Sequence, residues 1–377
     1  MASRKNRSKR CGKVAPEDPK EAANSAGLRY VTDARPGITR KPKDGDFAYY
    51  DNEGKQVKNK STLDRLKSLA IPPAWRKVWI CAQPNGHLQA TGIDARGRKQ
   101  YKYHPTWRSD RDEAKFERLL SFGQVLPKIR AQVDRDLRLP DLAREKVIAT
   151  VVRLLEISLI RIGNEAYAKE NNSFGLTTMR NRHVAVKGST VKFQFRGKGG
   201  KIHSVEVSDK RIARVVKKCQ ELPGQQLFEF EDPSGEIATI GSEDVNEYLQ
   251  RVTGQPFTAK DFRTWAGTVL AAIALWKMEE VDNQTLAKKN ILTAIEAVAK
   301  LLGNTAAICR KCYIHPAVTT SYLNGTLART VRKEADNQIV RHLHELRAEE
   351  AAVIVLLRQE LAERSKQNGT FTNQGQS

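Results

Sequence analysis

The spacing of apolar residues changes once along this chain, and that change restricts the folds it can adopt. Over residues 28–108 the apolar runs are short, alternate with polar residues and are separated by turn sequences, as in DGDFAYYDNEG and KVWICAQPNGHLQATGIDARGRKQYKYHPTW. Residues 52–54 and 84–86 carry Asn and Gly signals that are typical of hairpins. A short helix is expected around residues 63–69, followed by an extended or turn segment at residues 71–75. This region therefore predicts a small antiparallel β domain.

Beyond residue 108 the apolar residues recur at helical spacing for most of the chain. Residues 112–136 and 140–160 predict long amphipathic helices, and the second contains the run VIATVVRLLEISLI, which indicates deep burial. Further helices are predicted from Ser242, from Thr258 with Asp261 completing a capping box, over residues 282–302, from Thr305, and over residues 327–364.

One group of strands interrupts these helices. In STVKFQF, Val191, Phe193 and Phe195 alternate with polar residues, and the runs HVAV and KIHSVEV flank this segment. Alternation with a period of two predicts three strands. The expected fold class is therefore α+β, with a small antiparallel β N-terminal cap domain over residues 28–108. A larger, mostly α-helical domain with a small three-stranded sheet is expected over residues 109–364.

Both ends of the chain are polar. Residues 1–27 carry charge, alanine and proline but almost no large apolar side chains, so they predict a disordered basic arm. Residues 365–377 predict a polar tail for the same reason. No apolar run has the length of a membrane span or follows the N-terminus as in a signal peptide, so we expect an intracellular protein with no membrane partner.

The charge of the chain points to a polyanionic partner. There are 65 Lys and Arg residues against 43 Asp and Glu residues, which gives a formal charge of +22. This excess is larger than solubility requires, so nucleic acid is the first expectation and an anionic membrane the second.

The cysteines do not predict a metal site. Cys309 and Cys312 form the one CxxC pair in the sequence, within LLGNTAAICRKCYIHP, and the other three cysteines are scattered. A structural zinc site needs four ligands, usually from two paired clusters. We therefore expect reduced thiols on a helix face and no bound metal.

Three cationic residues of the second region each have an ordinary structural explanation. Arg161 in LIRIGNEAY would end the apolar helix, where a cation interacts favourably with the helix dipole. Lys198 in FRGKGGK would be a solvated lysine in a hairpin whose glycines let the backbone approach a ligand closely. Arg263 in TAKDFRTWAG would form an ion pair with Asp261 or a nearby glutamate, or else bind an anion.

Asn304 and Tyr313 lie in the segment LLGNTAAICRKCYIHP. Taken alone, Asn304 predicts a helix cap and Tyr313 a packing residue two turns into that helix. As a set with two arginines and a lysine, they suit phosphoryl transfer without a metal. Arginine matches the nonbridging oxygens of a phosphodiester, a lysine can donate a proton, and a tyrosine can attack.

These segments resemble those of the type IB DNA topoisomerases, specifically the short bacterial and poxvirus-like group. The resemblance runs from about residue 29 to residue 361. It rests on IPPAWRKVWI and GHLQATGIDARGRKQYKYHPTW in the first region and on LIRIGNEAY, FRGKGGK, KDFRTWAGT and LLGNTAAICRKCYIHP in the second. The resemblance implies that Tyr313 is the nucleophile, that Lys198 is the general acid, and that three residues bind the nonbridging oxygens: Arg161, Arg263 and Asn304. Many relatives have histidine at the position of Asn304.

The resemblance also implies an activity. Such an enzyme relaxes supercoiled duplex DNA by transient single-strand cleavage through a 3′-phosphotyrosyl intermediate, swivelling and religation, with no ATP, metal or cofactor. We expect a monomer that clamps DNA between its two domains in the bacterial cytoplasm, associated with the nucleoid. The residues expected to contact DNA are Arg98, Lys99, Gln100, Tyr101, Tyr103 and Tyr167. Ordinary strand alternation with aromatic packing is the alternative explanation of residues 98–103.

Two other functions stay open at this point. A tyrosine site-specific recombinase would share the same catalytic residue types, although a helical DNA-binding domain would be expected in front of them. A non-enzymatic DNA-binding protein would explain the charge without Tyr313. Near the nucleophile, Tyr322 is expected to pack and His315 to cap or pack. Residues 342–345 (HLHE) lack the second histidine of HExxH and predict a solvated helix face.

Overall fold

The computed structural model describes residues 18–95, 97–232, 234–278, 283–332 and 346–371. The chain divides into two compact units, Met1–Arg118 and Leu119–Ser377. The division falls inside a long helix, α3 (Pro105–Asp136), whereas the sequence placed the boundary between residues 108 and 109. Because the helix continues across this division, no turn sequence marks it. The change from strand spacing to helical spacing in the sequence therefore located the start of the helix and not the division between the two units.

The first unit is built on an antiparallel sheet, as predicted. Its strands are β1 (Ile38–Lys43), β2 (Asp46–Tyr50), β3 (Arg76–Ile80), β4 (Leu88–Ile93) and β5 (Lys99–Tyr103). They lie in the order β2-β1-β3-β4-β5. Helix α2 (Lys60–Ser68) precedes β3 and matches the short helix expected around residues 63–69.

The predicted turns of this sheet are partly confirmed. Residues 84–86 lie in the connection between β3 and β4, as expected. Residues 52–54 also form a turn, but it leads to an isolated bridge between Tyr50 and Gln56 and not to another strand. The β1–β2 hairpin instead turns at Asp44 and Gly45, whose φ angles of 49° and 81° suit a tight two-residue turn.

Arg40 fixes the extended segment at residues 71–75. Its guanidinium is buried and donates hydrogen bonds to the carbonyls of Ile71 at 2.8 Å, Pro72 at 2.9 Å and Trp75 at 3.0 Å. These bonds satisfy carbonyls that two prolines leave without regular pairing. The core beneath them consists of Ile38, Tyr49, Leu66, Ile71, Val78, Ile80 and Ala90.

The prediction of a disordered arm over residues 1–27 is wrong for its last part. Helix α1 (Pro19–Ser25) begins after Asp18, whose side chain accepts a hydrogen bond from the Lys20 amide at 2.8 Å. Ala23 is buried and packs with Leu28 and Trp107. The amino-acid composition of residues 1–27 does not reveal this helix, because its signals are local ones: an Asp-Pro start and one small packed residue. Residues 1–17 lie outside the described residues.

The second unit is mostly helical, and its core contains side chains from the helices and from a small sheet. Residues 327–332 are helical, as the predicted final helix requires, but residues 346–347 are not, and 333–345 lie outside the described range. The helices after α3 are α4 (Arg144–Ser158), α5 (Glu165–Asn171), α6 (Lys210–Gln220), α7 (Ser242–Thr253), α8 (Ala259–Trp276), α9 (Gln284–Leu302), α10 (Ala306–Cys312), α11 (Pro316–Leu323) and α12 (Ala348–Phe371).

The predicted three-stranded sheet is confirmed. Strands β6 (Val184–Lys187), β7 (Thr190–Arg196) and β8 (Ile202–Ser208) pair antiparallel in that order. A further two-stranded pair, β9 (Glu229–Glu231) and β10 (Ile237–Thr239), was not predicted, because strands of three residues are too short to show alternation.

No single described helix has both the length and the apolar composition needed to cross a membrane. Helices α9 and α10 meet that criterion only as a pair, and the pair is bent by 94°.

A buried ion-pair network joins the last helix to the core. Arg130 on α3 donates to both carboxylate oxygens of Glu350 on α12, at 2.9 Å and 2.8 Å, and its Nε donates to Glu156 at 2.7 Å. The indole of Trp265 on α8 donates to Glu350 at 3.3 Å. Burial alone would raise the pKa of Glu350, but the hydrogen bonds and the charge of Arg130 hold that pKa below its usual range.

Removal of the Glu350 carboxylate should destabilise the second unit. Glu350→Ala leaves Arg130 buried with one carboxylate, and breaking a buried pair in this way costs roughly 3–5 kcal/mol. Urea unfolding measures the loss, and Glu363→Ala, at an exposed position of the same helix, is the control. Because the folded-state pKa of Glu350 is lowered, its contribution is present above the ordinary carboxyl range and is lost as the pH falls through the lowered value. A Glu350→Ala variant as stable as Glu363→Ala would contradict this role.

Candidate functional site

The residues predicted as catalytic converge in the second unit although they are far apart in the sequence. One small pocket is lined by Arg161, Lys198 and Arg263 together. Asn304 contacts the side chain of Arg161, and the ring of Tyr313 lies beside the guanidinium of Arg263. The structure therefore brings all five side chains to one place.

Arg263 is the buried centre of this group. Its side chain is 5% exposed, and its two terminal nitrogens donate to the carbonyl of Leu159 and, at 2.7 Å, to that of Leu302. The alternative of an ion pair with Asp261 is wrong. The Asp261 carboxylate instead accepts a hydrogen bond from the Thr258 amide at 2.7 Å, as the predicted capping box requires.

The guanidinium of Arg263 is incompletely satisfied. Within the described part of the chain no acceptor reaches its buried Nε. Burial and the neighbouring charge of Arg161 lower the pKa of Arg263 to about 10, while Tyr313 acts in the opposite direction. Arg263 is thus still charged at neutral pH, and a nearby anion would relieve both the burial and the repulsion from Arg161.

Arg161 does not lie at the end of a helix, as the sequence had suggested. Helix α4 ends at Ser158, and Leu159 turns the chain with a left-handed φ of 57°, so Arg161 is in the loop beyond. The Arg161 carbonyl accepts the amide of Leu176 at 2.8 Å, which fixes the loop. Its guanidinium donates to Asn304 Oδ1 at 2.6 Å. A cation beyond the last helical turn interacts little with the helix dipole. Arg161 is therefore not explained by the dipole, and it lines the pocket.

Asn304 is a partner of Arg161 and not the helix cap that the sequence suggested. Gly303 ends α9 with a φ of 61°, a conformation that favours glycine. Thr305 caps α10, because its side chain accepts the amide of Ile308 at 3.3 Å. The Asn304 side chain is therefore available to hold Arg161 through its Oδ1, while its amide nitrogen donates to the carbonyl of Leu302 at 3.4 Å.

Tyr313 ends helix α10 and does not lie inside it, which corrects the position predicted from the sequence. Its carbonyl accepts a hydrogen bond from the Thr268 hydroxyl of α8 at 3.2 Å. A Cβ on Gly267 would lie 2.6 Å from that carbonyl oxygen and 3.0 Å from the Tyr313 Cβ. Helix α8 thus carries Arg263 and, one turn later, the small residue that lets the Tyr313 backbone approach.

Lys198 is exposed at the tip of the β7–β8 hairpin. The tip is a 3₁₀ turn over residues 198–200, and Gly199 and Gly200 both have φ angles of 79°. The Gly197 amide closes the hairpin by donating to the Lys201 carbonyl at 2.7 Å. The hairpin therefore carries an unburied ammonium group to the edge of the pocket.

His203 belongs to the pocket and was missed by the sequence reasoning. It lies on β8 and lines the pocket with the two arginines. Burial and then the charges of Arg161 and Arg263 lower the pKa of His203, so the imidazole is neutral at neutral pH. A signal was present: in KIHSVEV, His203 occupies an inward position of the alternation that Val205 and Val207 continue.

The neighbouring candidates near Tyr313 have structural roles. Tyr322 is buried, and its hydroxyl accepts a hydrogen bond from Asn290 at 2.8 Å, which fits the predicted packing role. His315 caps α11 by accepting the Ala317 amide at 3.0 Å. Cys309 is buried on α10, and burial raises the pKa of its thiol to about 11. The predicted solvated face at residues 342–345 lies outside the described range.

The strand predicted to contact DNA forms the edge of the first unit's sheet. Tyr101 and Tyr103 are exposed on one face of β5, with ring centroids 6.2 Å apart and nearly parallel. Lys99 lies on the same face and pairs with Asp33 at 2.6 Å. Gln100 points to the opposite face and, like Arg98, donates to Asp94. The tyrosines are thus not packed into the core, whereas two of the predicted contacts are engaged with one aspartate.

Tyr167 belongs to the second unit. It is half-buried on α5, and its amide donates to Asn164 Oδ1 at 3.0 Å to start that helix. It is not among the residues that line the pocket.

The chain was compared with known protein families and with curated proteins. The family described as "Eukaryotic DNA topoisomerase I, catalytic core" matches residues 104–340, and that described as "Bacterial DNA topoisomerase IB, N-terminal domain" matches residues 46–94. "DNA topoisomerase 1B" of Acanthamoeba polyphaga mimivirus is 30% identical over 296 residues, which covers 77% of this chain and 88% of the relative. "DNA topoisomerase 1" of Rabbit fibroma virus (strain Kasza) is 26% identical over 290 residues, with 74% and 88% covered. "DNA topoisomerase 1B" of Vaccinia virus (strain Copenhagen) is 22% identical over 224 residues, with 59% and 68% covered.

The close approach of the Tyr313 backbone to Gly267 on α8 can be tested by measuring the stability of the protein. Gly267→Ala places a methyl group against backbone atoms of Tyr313, and overpacking of this kind costs about 1–3 kcal/mol. Urea unfolding should therefore show a loss for Gly267→Ala, although alanine is the better helix former. Ala266→Ser, at the adjacent half-buried position, controls for substitution in this turn. A Gly267→Ala variant more stable than the parent would show that the close approach is absent.

Proposed function

The chain belongs to the type IB DNA topoisomerase family, and from this premise we propose how its pocket carries out the reaction. The enzyme relaxes supercoiled duplex DNA by transient single-strand cleavage and religation. We assign the roles because two arginines and a lysine converge beside one tyrosine. Arg263 within this group is buried without a carboxylate partner among the described residues.

Tyr313 is the proposed nucleophile. Its phenolic oxygen attacks a backbone phosphorus, which forms a 3′-phosphotyrosyl bond and releases a 5′-hydroxyl. One phosphodiester replaces another, so the step needs no external energy source. A tyrosine is a poor nucleophile unless cationic groups surround it. The Arg263 guanidinium carbon lies 5.3 Å from the centre of the Tyr313 ring, which supports this assignment.

Arg161, Arg263 and Asn304 are the proposed ligands of the nonbridging oxygens. Arg161 and Asn304 are already bonded to each other at 2.6 Å, so their positions are set before DNA binds. Donors that are fixed in advance stabilise the charge that develops in the pentavalent transition state. An oxygen beside Arg263 would also compensate for its burial and for the repulsion from Arg161.

Lys198 is the proposed general acid. It protonates the 5′ oxygen as that oxygen leaves, and the reverse transfer activates the 5′-hydroxyl during religation. Its exposed position on a glycine-rich tip at the edge of the pocket suits a group that must reach the leaving oxygen. Between the two steps the free end swivels, so supercoils of either sign relax.

The other proposals concern the enzyme as a whole. We propose that it acts as a monomer on duplex DNA in the bacterial cytoplasm, at the nucleoid. The charge of +22 supports a polyanionic partner, and the match of residues 46–94 to a bacterial N-terminal domain supports the setting. The exposed pair Tyr101 and Tyr103 is the proposed DNA contact on β5, with Tyr167 as a weaker candidate.

Relaxation of a plasmid tests the nucleophile. The parent protein, incubated with supercoiled plasmid, EDTA and no ATP, should relax it, and Tyr313→Phe should not, because the variant lacks the attacking oxygen. Filter binding should show that Tyr313→Phe keeps its DNA affinity. Tyr322→Phe is the matched control and should relax the plasmid. Activity in Tyr313→Phe would refute the assignment, and binding without any relaxation by the parent would favour a non-enzymatic protein.

Single-turnover cleavage separates the general acid from the phosphate ligands. Lys198→Ala should cleave slowly, and a substrate with sulfur at the 5′ bridging position should restore most of the rate, because a thiolate needs little protonation to leave. Arg161→Ala should lose about 2.7–4 kcal/mol of transition-state stabilisation, as when a fixed oxyanion donor is removed, and the sulfur should not restore it. Equal rescue of both variants would contradict the division of roles.

A further inference from the structure

We infer that His203 is a positioning residue that fixes the hairpin of Lys198 against the turn of Asn304. This inference rests on the function proposed above. Lys198 and Asn304 lie on separate segments, the β7–β8 hairpin and the turn between α9 and α10. The imidazole of His203 touches both segments, each through a glycine that adjoins the functional residue.

The contacts with the two glycines leave no room for a larger residue. A Cβ on Gly197 would lie 2.6 Å from His203 Cδ2 and 2.8 Å from Nε2. A Cβ on Gly303 would lie 2.5 Å from His203 Cε1. Gly197 precedes Lys198, and Gly303 precedes Asn304. The ring therefore lies against both backbones at once, which is the arrangement needed to set the separation of the two segments.

The imidazole is itself held in place. His203 pairs with Phe195 in the β7–β8 ladder, and the two rings are stacked with centroids 5.3 Å apart and an angle of 16° between their planes. Phe195 is buried in the core of the second unit. The His203 ring is thus anchored on the core through its stacking with Phe195. Because of this anchor, the hairpin that carries Lys198 could be displaced only if the two rings separated.

His203 acts on Lys198 through position and not through charge. Burial and the charges of Arg161, Arg263 and Lys201 all disfavour the protonated imidazole, and a neutral ring adds no third cation to the arginine pair. A general acid must lie within hydrogen-bond reach of its oxygen, and a misplacement of about 1 Å can cost roughly 10²-fold in rate. A hairpin with an exposed tip and two glycines at positive φ needs such a support.

The test uses the proton-transfer step as its readout. His203→Ala should slow single-turnover cleavage of an ordinary duplex by about tenfold or more, because the general acid is no longer held in place. The 5′ bridging sulfur substrate should restore most of this loss, as it does for Lys198→Ala. The double variant His203→Ala/Lys198→Ala should be no slower than Lys198→Ala alone, since both changes affect one step.

Two further variants separate this role from general packing. His203→Leu keeps most of the volume without the nitrogens and should cleave faster than His203→Ala. It also supplies the measurement if His203→Ala does not fold. Glu206→Gln, on the exposed face of the same strand and outside the pocket, should cleave like the parent. Thermal unfolding of each variant shows whether a rate loss follows a loss of the fold.

The outcomes distinguish the inference from the function on which it rests. If sulfur rescues Lys198→Ala but neither His203→Ala nor His203→Leu, or if neither His203 variant is slower than the parent, the positioning role is wrong and the role of Lys198 stands. If His203→Leu is as slow as His203→Ala, the imidazole nitrogens are needed and packing does not explain the effect. If sulfur does not rescue Lys198→Ala, the proposed general acid fails and the inference fails with it.

Discussion

The site depends on one interaction, the insertion of the Arg263 guanidinium between the ends of two helices. Its terminal nitrogens bond to the carbonyl of Leu159, where α4 has just ended, and to that of Leu302 in the last turn of α9. Each carbonyl belongs to a residue that closely precedes another functional residue, Arg161 in one case and Asn304 in the other. A single buried side chain therefore sets the positions of two segments, and its guanidinium lies over the ring of Tyr313 in a third.

The side chains of the site fall into two groups. Some are held by hydrogen bonds to the core, and Lys198 depends on the hairpin that carries it. The proposed oxygen-binding residues Arg161, Arg263 and Asn304 are linked to each other or to main-chain carbonyls at the ends of core helices, so in this proposal little reorganisation is needed when charge develops on the phosphorus oxygens. Lys198 differs because it lies exposed on a hairpin tip whose order depends on its contacts. His203 supplies those contacts from within the sheet. The proposed phosphate ligands and the proposed proton donor are thus held separately, although both are supported by the core of the second unit.

Much of the fold follows from sequence periodicity, because period-two alternation and helical spacing are local properties. The sheets of both units and helices such as α4 and α8 are predicted in this way. The five catalytic candidates were recognised as a set from their residue types and given their roles by a resemblance, and local reasoning placed three of them imperfectly. Arg161 was assigned to a helix end because the left-handed turn at Leu159 has no glycine to announce it. Asn304 was assigned as a cap and Tyr313 as an interior helix residue, because their true partners are more than 40 positions away in the sequence. His203 was missed because its contact with Gly303, which ties the hairpin to the turn before α10, joins residues far apart in the sequence.

The account stands on Tyr313 as the residue that becomes joined to DNA. The most direct measurement traps the covalent complex with denaturant during plasmid cleavage, digests the DNA to a short remnant, and locates that remnant by fragmentation in a mass spectrometer. Trypsin cuts after Lys311 and Arg329, so a single peptide carries both Tyr313 and Tyr322, and only fragment ions between them decide the site. The account predicts the nucleotide remnant on Tyr313. A remnant on Tyr322, or on any other residue, would contradict the site described above.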